Sequence, residues 1–265
     1  MKGSRDRVFG TEGEFEAKPW PPDTGTWLRF ILGLFISYGL FEITARTLAS
    51  DRGQAGLFVG AVVVAAVFAA SRWLLGEPYP EAFGSLGLGT PRIKGLIAAA
   101  MISALLLLVV PVYVYSKGAS ISMYPGWLFL LPGLFAQAGI AEEVLFRAYL
   151  FGRIRRGRTF RRAALIAGGP FVLVHLSMFA TMPWPIALAS VLLATALLFP
   201  LARLYELGGG TIWAPAILHW VIQGTVKVID LGLDSSEFAL FWILSGVIVP
   251  YVAFFVPTGK PRRTG

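Results

Sequence analysis

Residues 126–151 read GWLFLLPGLFAQAGIAEEVLFRAYLF, an apolar run with Glu142, Glu143 and Arg147 set inside it. A helix crosses a hydrocarbon core about 30 Å thick with about 20 mostly apolar residues, at about 1.5 Å per residue. This run is long enough to span. A charged side chain at the bilayer centre costs roughly 2.5–3.5 kcal/mol on insertion scales, so three of them in one span require a reason. Glu143 and Arg147 stand four apart and share a helix face, where they pair as an internal salt bridge. Glu142 is rotated about 100° from its neighbour. One carboxylate is therefore neutralised by Arg147, and the other is left for chemistry.

The rest of the chain agrees with a membrane reading. Of its 265 residues 56% are hydrophobic and only 14% charged, with a mean hydropathy of +0.69; soluble domains are about 45–50% apolar and about 25% charged. Eight apolar segments are long enough to span, at roughly 26–45, 55–75, 95–116, 126–151, 163–181, 184–205, 211–229 and 237–256. The fold class is thus all-α, a polytopic transmembrane bundle of about eight spans over 26–256. Short tails precede (1–25) and follow (257–265) it. The fifth segment is interrupted by Gly168, Gly169 and Pro170, a break tolerated only where neighbouring helices or water satisfy the freed backbone groups. With no cysteine in the chain, disulfides, thiolate metal sites and a cysteine nucleophile are excluded. The first 25 residues are polar and mixed in charge, unlike a cleavable signal peptide.

A net charge of +8 does not indicate nucleic acid, because the cations lie between apolar segments and not on one soluble domain. Counted against the spans, seventeen Lys and Arg fall on the side of the N-terminal tail, the Arg153–Arg162 loop and the C-terminal tail. Four (Arg46, Arg52, Lys117, Lys227) fall on the other, and Arg29 and Arg147 lie within spans. The positive-inside rule places both termini in the cytoplasm. The six-arginine loop reads as a topology determinant that is also suited to anionic lipid headgroups.

The two histidines both sit in apolar segments: His175 in the fifth and His219 in the seventh, with Gln223 one turn beyond His219 on the same face. Glu142, His175 and His219 lie about ten, twelve and eight residues from the cytoplasmic ends of their spans. That is one level, roughly 12–18 Å deep. Glu42, Arg203 and Glu206 read as structural. The glycines of 84–89 and 208–210 read as loop residues, not phosphate cradles.

At these positions the sequence resembles the CPBP family of intramembrane proteases (CAAX prenyl protease and bacteriocin-processing, also called Abi). The resemblance lies in Glu-Glu-x-x-x-Arg (Glu142, Glu143, Arg147), Phe-x-x-x-His (Phe171, His175) and His-x-x-x-Asn, where His219 is followed by Gln223 in the Asn position. It extends over roughly 80–230. It implies an integral protein of a prokaryotic plasma membrane in which Glu142 activates a water held by His175. His219 and residue 223 would form the oxyanion hole, and Glu143 with Arg147 would support the first motif. The implied substrate is a membrane-associated peptide or protein, lipidated or not, in contact with membrane lipid.

Three alternatives stay open at this point. Zinc could be held by Glu142, His175 and His219, although there is no His-Glu-x-x-His motif and a metal-free site is the expectation. A non-proteolytic scaffold or immunity protein could use the same cavity. A transporter or proton relay also suits buried Glu and His, but it favours an internal repeat, and none is evident.

Overall fold

The computed structural model describes residues 20–48, 54–231 and 235–257, the side chains of residues 54, 235 and 236 excepted. Lys2, Arg5, Arg7, Lys18, Arg52, Lys260, Arg262 and Arg263 of the charge count lie outside the described residues. Seven helices are long and apolar enough to cross a membrane: α1 (Thr24–Thr47), α2 (Ala55–Leu74), α4 (Ile93–Lys117), α5 (Trp127–Ile154), α6 (Phe160–Ala180), α7 (Trp184–Leu207) and α9 (Glu237–Phe255). Two shorter helices, α3 (Tyr79–Gly84) and α8 (Trp213–Val228), complete the helical bundle of an integral membrane protein.

The segment expected to span over 211–229 is the 16-residue α8. At about 1.5 Å per residue it reaches about 24 Å, short of a full hydrocarbon core. Nine of its sixteen residues are buried, and it packs against α4, α5 and α7 in the interior of the bundle. Past Val228 the chain leaves the helix as strand β2 (Ile229–Asp230), which pairs antiparallel with β1 (Ser122–Met123) just before α5. Tyr124 N donates to Val228 O at 2.9 Å and extends this link.

The interruption expected at Gly168-Gly169-Pro170 does not occur. Helix α6 continues through Pro170 to Leu176 and closes in a 3-10 turn, Ser177–Ala180. The small residues serve packing instead, since a Cβ at Gly168 would fall 2.5 Å from Leu198 of α7. Helix α5 is held in the same manner. A Cβ on Gly56 of α2 would lie 2.2 Å from Gly133 O, and one on Gly139 3.0 Å from Ala216 O of α8. Close backbone approach through small residues is the usual basis of helix association in lipid, where no hydrophobic drive operates between helices.

Arginines of the 153–162 loop are committed to the fold. Arg153, 1% exposed, donates to both Glu77 carboxylate oxygens (3.2 and 2.8 Å) and to Ser71 Oγ (2.6 Å). Arg155 Nε pairs with Glu206 at 2.7 Å, and Arg158 donates to Trp20 O. Arg203 donates to Val256 O at 2.8 Å, and Glu42 pairs with Arg46 at 2.5 Å, both structural as expected. At the start of α1, Asp23 caps the helix by accepting from Thr26 N (2.9 Å) and the Thr26 hydroxyl (2.7 Å). Those two hydrogen bonds hold its carboxyl below the usual range.

Candidate active site

Helix α5 does not keep one hydrogen-bonding pattern. π-Helical stretches, Phe135–Ala141 and Val144–Phe151, flank Glu142 and Glu143 on either side, and Pro132 lies just upstream. Such i→i+5 turns are rare and frequently lie at functional sites. Here they bracket the acidic pair on the part of α5 that faces α8, where Gly139 meets the backbone of Ala216.

Across that contact the side chains form one connected set. Glu143, fully buried, has its Oε1 2.6 Å from His219 Nδ1 and 3.2 Å from Arg147 Nη1. Because a carboxylate only accepts, His219 carries a proton on Nδ1, and in the neutral ring Nε2 keeps a lone pair. Gln223 Nε2 lies 2.8 Å from that Nε2 and 3.3 Å from Glu142 Oε1, so its two amide hydrogens serve both groups. Glu142 Oε2 is itself 3.6 Å from His219 Nε2.

Glu142, Glu143, His219 and Gln223 are thus brought together as one site. Glu143 departs from expectation, because it is not simply neutralised by Arg147 but also orients His219. The Arg147 contact is close without being aligned as a hydrogen bond: neither terminal guanidinium nitrogen has a hydrogen-bond partner. Arg147 instead lies over the face of Phe171, 4.4 Å from the ring centroid, an attraction that grows in a desolvated site.

His175 is placed less directly. Its Nδ1 donates to Phe171 O of its own helix at 2.7 Å, which in the neutral ring leaves a lone pair on Nε2. It joins the site through the Phe171 ring, whose centroid is 4.7 Å from that of His175 and 6.4 Å from that of His219. The two imidazoles therefore lie no farther apart than the sum of those separations. The zinc set of Glu142, His175 and His219 is not assembled: no group of three His, Asp or Glu side chains among the described residues is arranged to hold a metal.

Residues 124–225 match the family model described as type II CAAX prenyl endopeptidase Rce1-like. The match contains Glu142, Glu143, Arg147, Phe171, His175, His219 and Gln223, in keeping with the CPBP resemblance, and it begins where β1 hands the chain to α5. No curated protein matches the chain. Two features of the site were missed in the sequence: the Glu143–His219 bond, which joins residues 76 positions apart, and Lys227, one turn past Gln223, whose Nζ is 3.4 Å from Gln223 Oε1.

Proposed function

We propose that the protein is an intramembrane endopeptidase that hydrolyses a peptide bond of a membrane-associated substrate, with Glu142 as general base on a water. The observation that carries this reading is the opposition of Glu142 Oε2 and His219 Nε2 at 3.6 Å, backed by Glu143 at 2.6 Å from Nδ1. Glu143, paired with Arg147 and bonded to His219, is fixed as an acceptor. Glu142 is the carboxylate placed to take a proton, and a positioned base contributes roughly 10²–10⁴ in rate.

In this mechanism the water oxygen bonds to the scissile carbonyl carbon as its proton passes to Glu142. His175, held by Phe171 O, offers its Nε2 lone pair to orient that water. The developing oxyanion draws an amide hydrogen of Gln223 away from its 3.3 Å contact with Glu142. The proton then reaches the leaving amine, directly or by way of His219 Nε2, and the imidazolium formed on the second route is stabilised by Glu143. The donor arrangement favours a metal-free site. The family description makes a lipid-bearing C terminus the first substrate to try, and the two readings without proteolysis are tested beside it.

The test is cleavage of a peptide library, including prenylated C-terminal peptides, by purified protein and by Glu142→Gln. The change keeps size and removes the base, so turnover should fall by roughly 10²–10⁴ while substrate still binds. A chelator should leave the wild-type rate unchanged. Unaltered cellular function with stably expressed Glu142→Gln would refute the enzyme in favour of a scaffold.

A further inference from the structure

His219, Gln223 and Lys227 follow one another at four-residue intervals along α8, so they form a polar line on one face of the helix. The Gln223 carboxamide lies in the middle of this line. Its nitrogen faces His219 Nε2 and Glu142 Oε1, and its oxygen faces Lys227 Nζ at 3.4 Å. Turning the amide over would set Oε1 against a carboxylate and an imidazole lone pair, and NH₂ against an ammonium. All three contacts select the same orientation. Lys227 also borders a cavity of about 360 Å³ with Tyr124, Pro125, Leu130 and Val226, so its ammonium is not sealed in the apolar core.

The selection changes during turnover. Once Glu142 has taken the proton of water it becomes a hydrogen-bond donor, and His219 does too if the proton moves on to Nε2. Whichever of the two holds the proton would then prefer the amide oxygen, which would turn the NH₂ away when the oxyanion requires it. The contact from Lys227 to Oε1 is indifferent to that proton and opposes the flip. Gln in the Asn position supplies the length that joins the site to Lys227. We propose that Lys227 is a positioning residue of the hydrolytic site, holding the Gln223 carboxamide with its donor toward the reacting carbonyl. This inference rests on the endopeptidase reading above.

The experiment compares wild type, Lys227→Met, Lys227→Arg, Gln223→Leu and the Gln223→Leu/Lys227→Met double variant, with kcat and KM measured on one cleaved peptide. Thermal unfolding of each variant confirms that it is folded, and Lys227→Gln is carried beside Lys227→Met as a second neutral change. Lys227→Met should lower kcat by up to the roughly 10²–10³ of a lost oxyanion donor, with KM unchanged. Lys227→Arg should recover most of the rate, and the double variant should be no slower than Gln223→Leu. An undiminished kcat in folded Lys227→Met and Lys227→Gln, or effects that multiply in the double variant, would overturn the positioning role and leave the protease standing. A wild type that cleaves no peptide would overturn both.

Discussion

Replacing Glu143 by Gln separates what holds the site together from what makes it reactive. Glu143 is 0% exposed and Arg147 3%, and Glu143 Oε1 stands 3.2 Å from the guanidinium and 2.6 Å from His219 Nδ1. Removing the carboxylate charge leaves Arg147 buried without its anion, a change that costs about 3–5 kcal/mol. That is a large share of a net stability of about 5–15 kcal/mol. Replacing both members, as Glu143→Gln with Arg147→Met, deletes both charges in similar volume and should return most of the lost stability. Activity should not return with it. His219 can still donate to a Gln oxygen, but its imidazolium is no longer stabilised by a charge, so turnover should stay roughly 10²–10⁴ below wild type. Thermal unfolding in detergent and peptide cleavage on the same preparations give the two readouts. A Glu143→Gln single variant as stable as wild type would refute the buried-charge argument, and a double variant with restored activity would show that the Glu143–His219 contact has no part in the chemistry.

Gln223→Asn restores the family residue, yet the shorter side chain cannot keep all three contacts of the amide. It should lower kcat by up to roughly 10²–10³, and a faster enzyme would mean that Gln223 marks a decayed site. Arg153→Met leaves Glu77 without its buried partner and should destabilise by about 3–5 kcal/mol, measurable by thermal unfolding, with kcat changed little in the surviving folded fraction. Gly56→Val places side-chain atoms where Gly133 O lies 2.2 Å from even a Cβ, so it should prevent α2 from seating on α5. Thermal unfolding in detergent is the check, and wild-type stability would count against the packing described. Reporter fusions at Arg158 and Lys117 should give opposite sidedness, with the Arg158 loop cytoplasmic; equal sidedness would contradict the span order.

What the sequence disclosed follows the range of its signals. Length and hydropathy are local properties, so seven spans were legible to within a few residues. Segment 211–229 was read as an eighth span from its apolar content, and α8 fills it as a 16-residue helix running from the 84–92 connection to β1. What shortens it is the pairing of Ile229 with Met123, a contact between distant positions that no local pattern records. Pro170 suggested a break, but the cost of one lost backbone bond is outweighed where Gly168 lets α6 lie against Leu198. Within the site, Glu142, His219 and Gln223 were legible as polar groups in apolar helices. The role of Glu143 was not, because a regular 100° wheel assigns it to Arg147 alone and the π-helical turns on both sides alter the phase of α5. His175 was placed at the right depth, but its bond to Phe171 O depends on a rotamer that spacing does not specify.

The short β1–β2 ladder bears on how a substrate could enter. Ser122 and Met123 lead into α5, Ile229 and Asp230 lead out of α8, and their pairing is reinforced by Tyr124 N on Val228 O. The helices that carry Glu142 and His219 are therefore tethered at one end by main-chain bonds, and prying them apart would break that ladder first. Helix α6 packs against α5 and α7 and ends in an exposed 3-10 turn, Ser177–Ala180, with no such tether to α8 among the described strands. The base and its histidine are thus held on one main-chain frame, and His175 stands on a helix outside it.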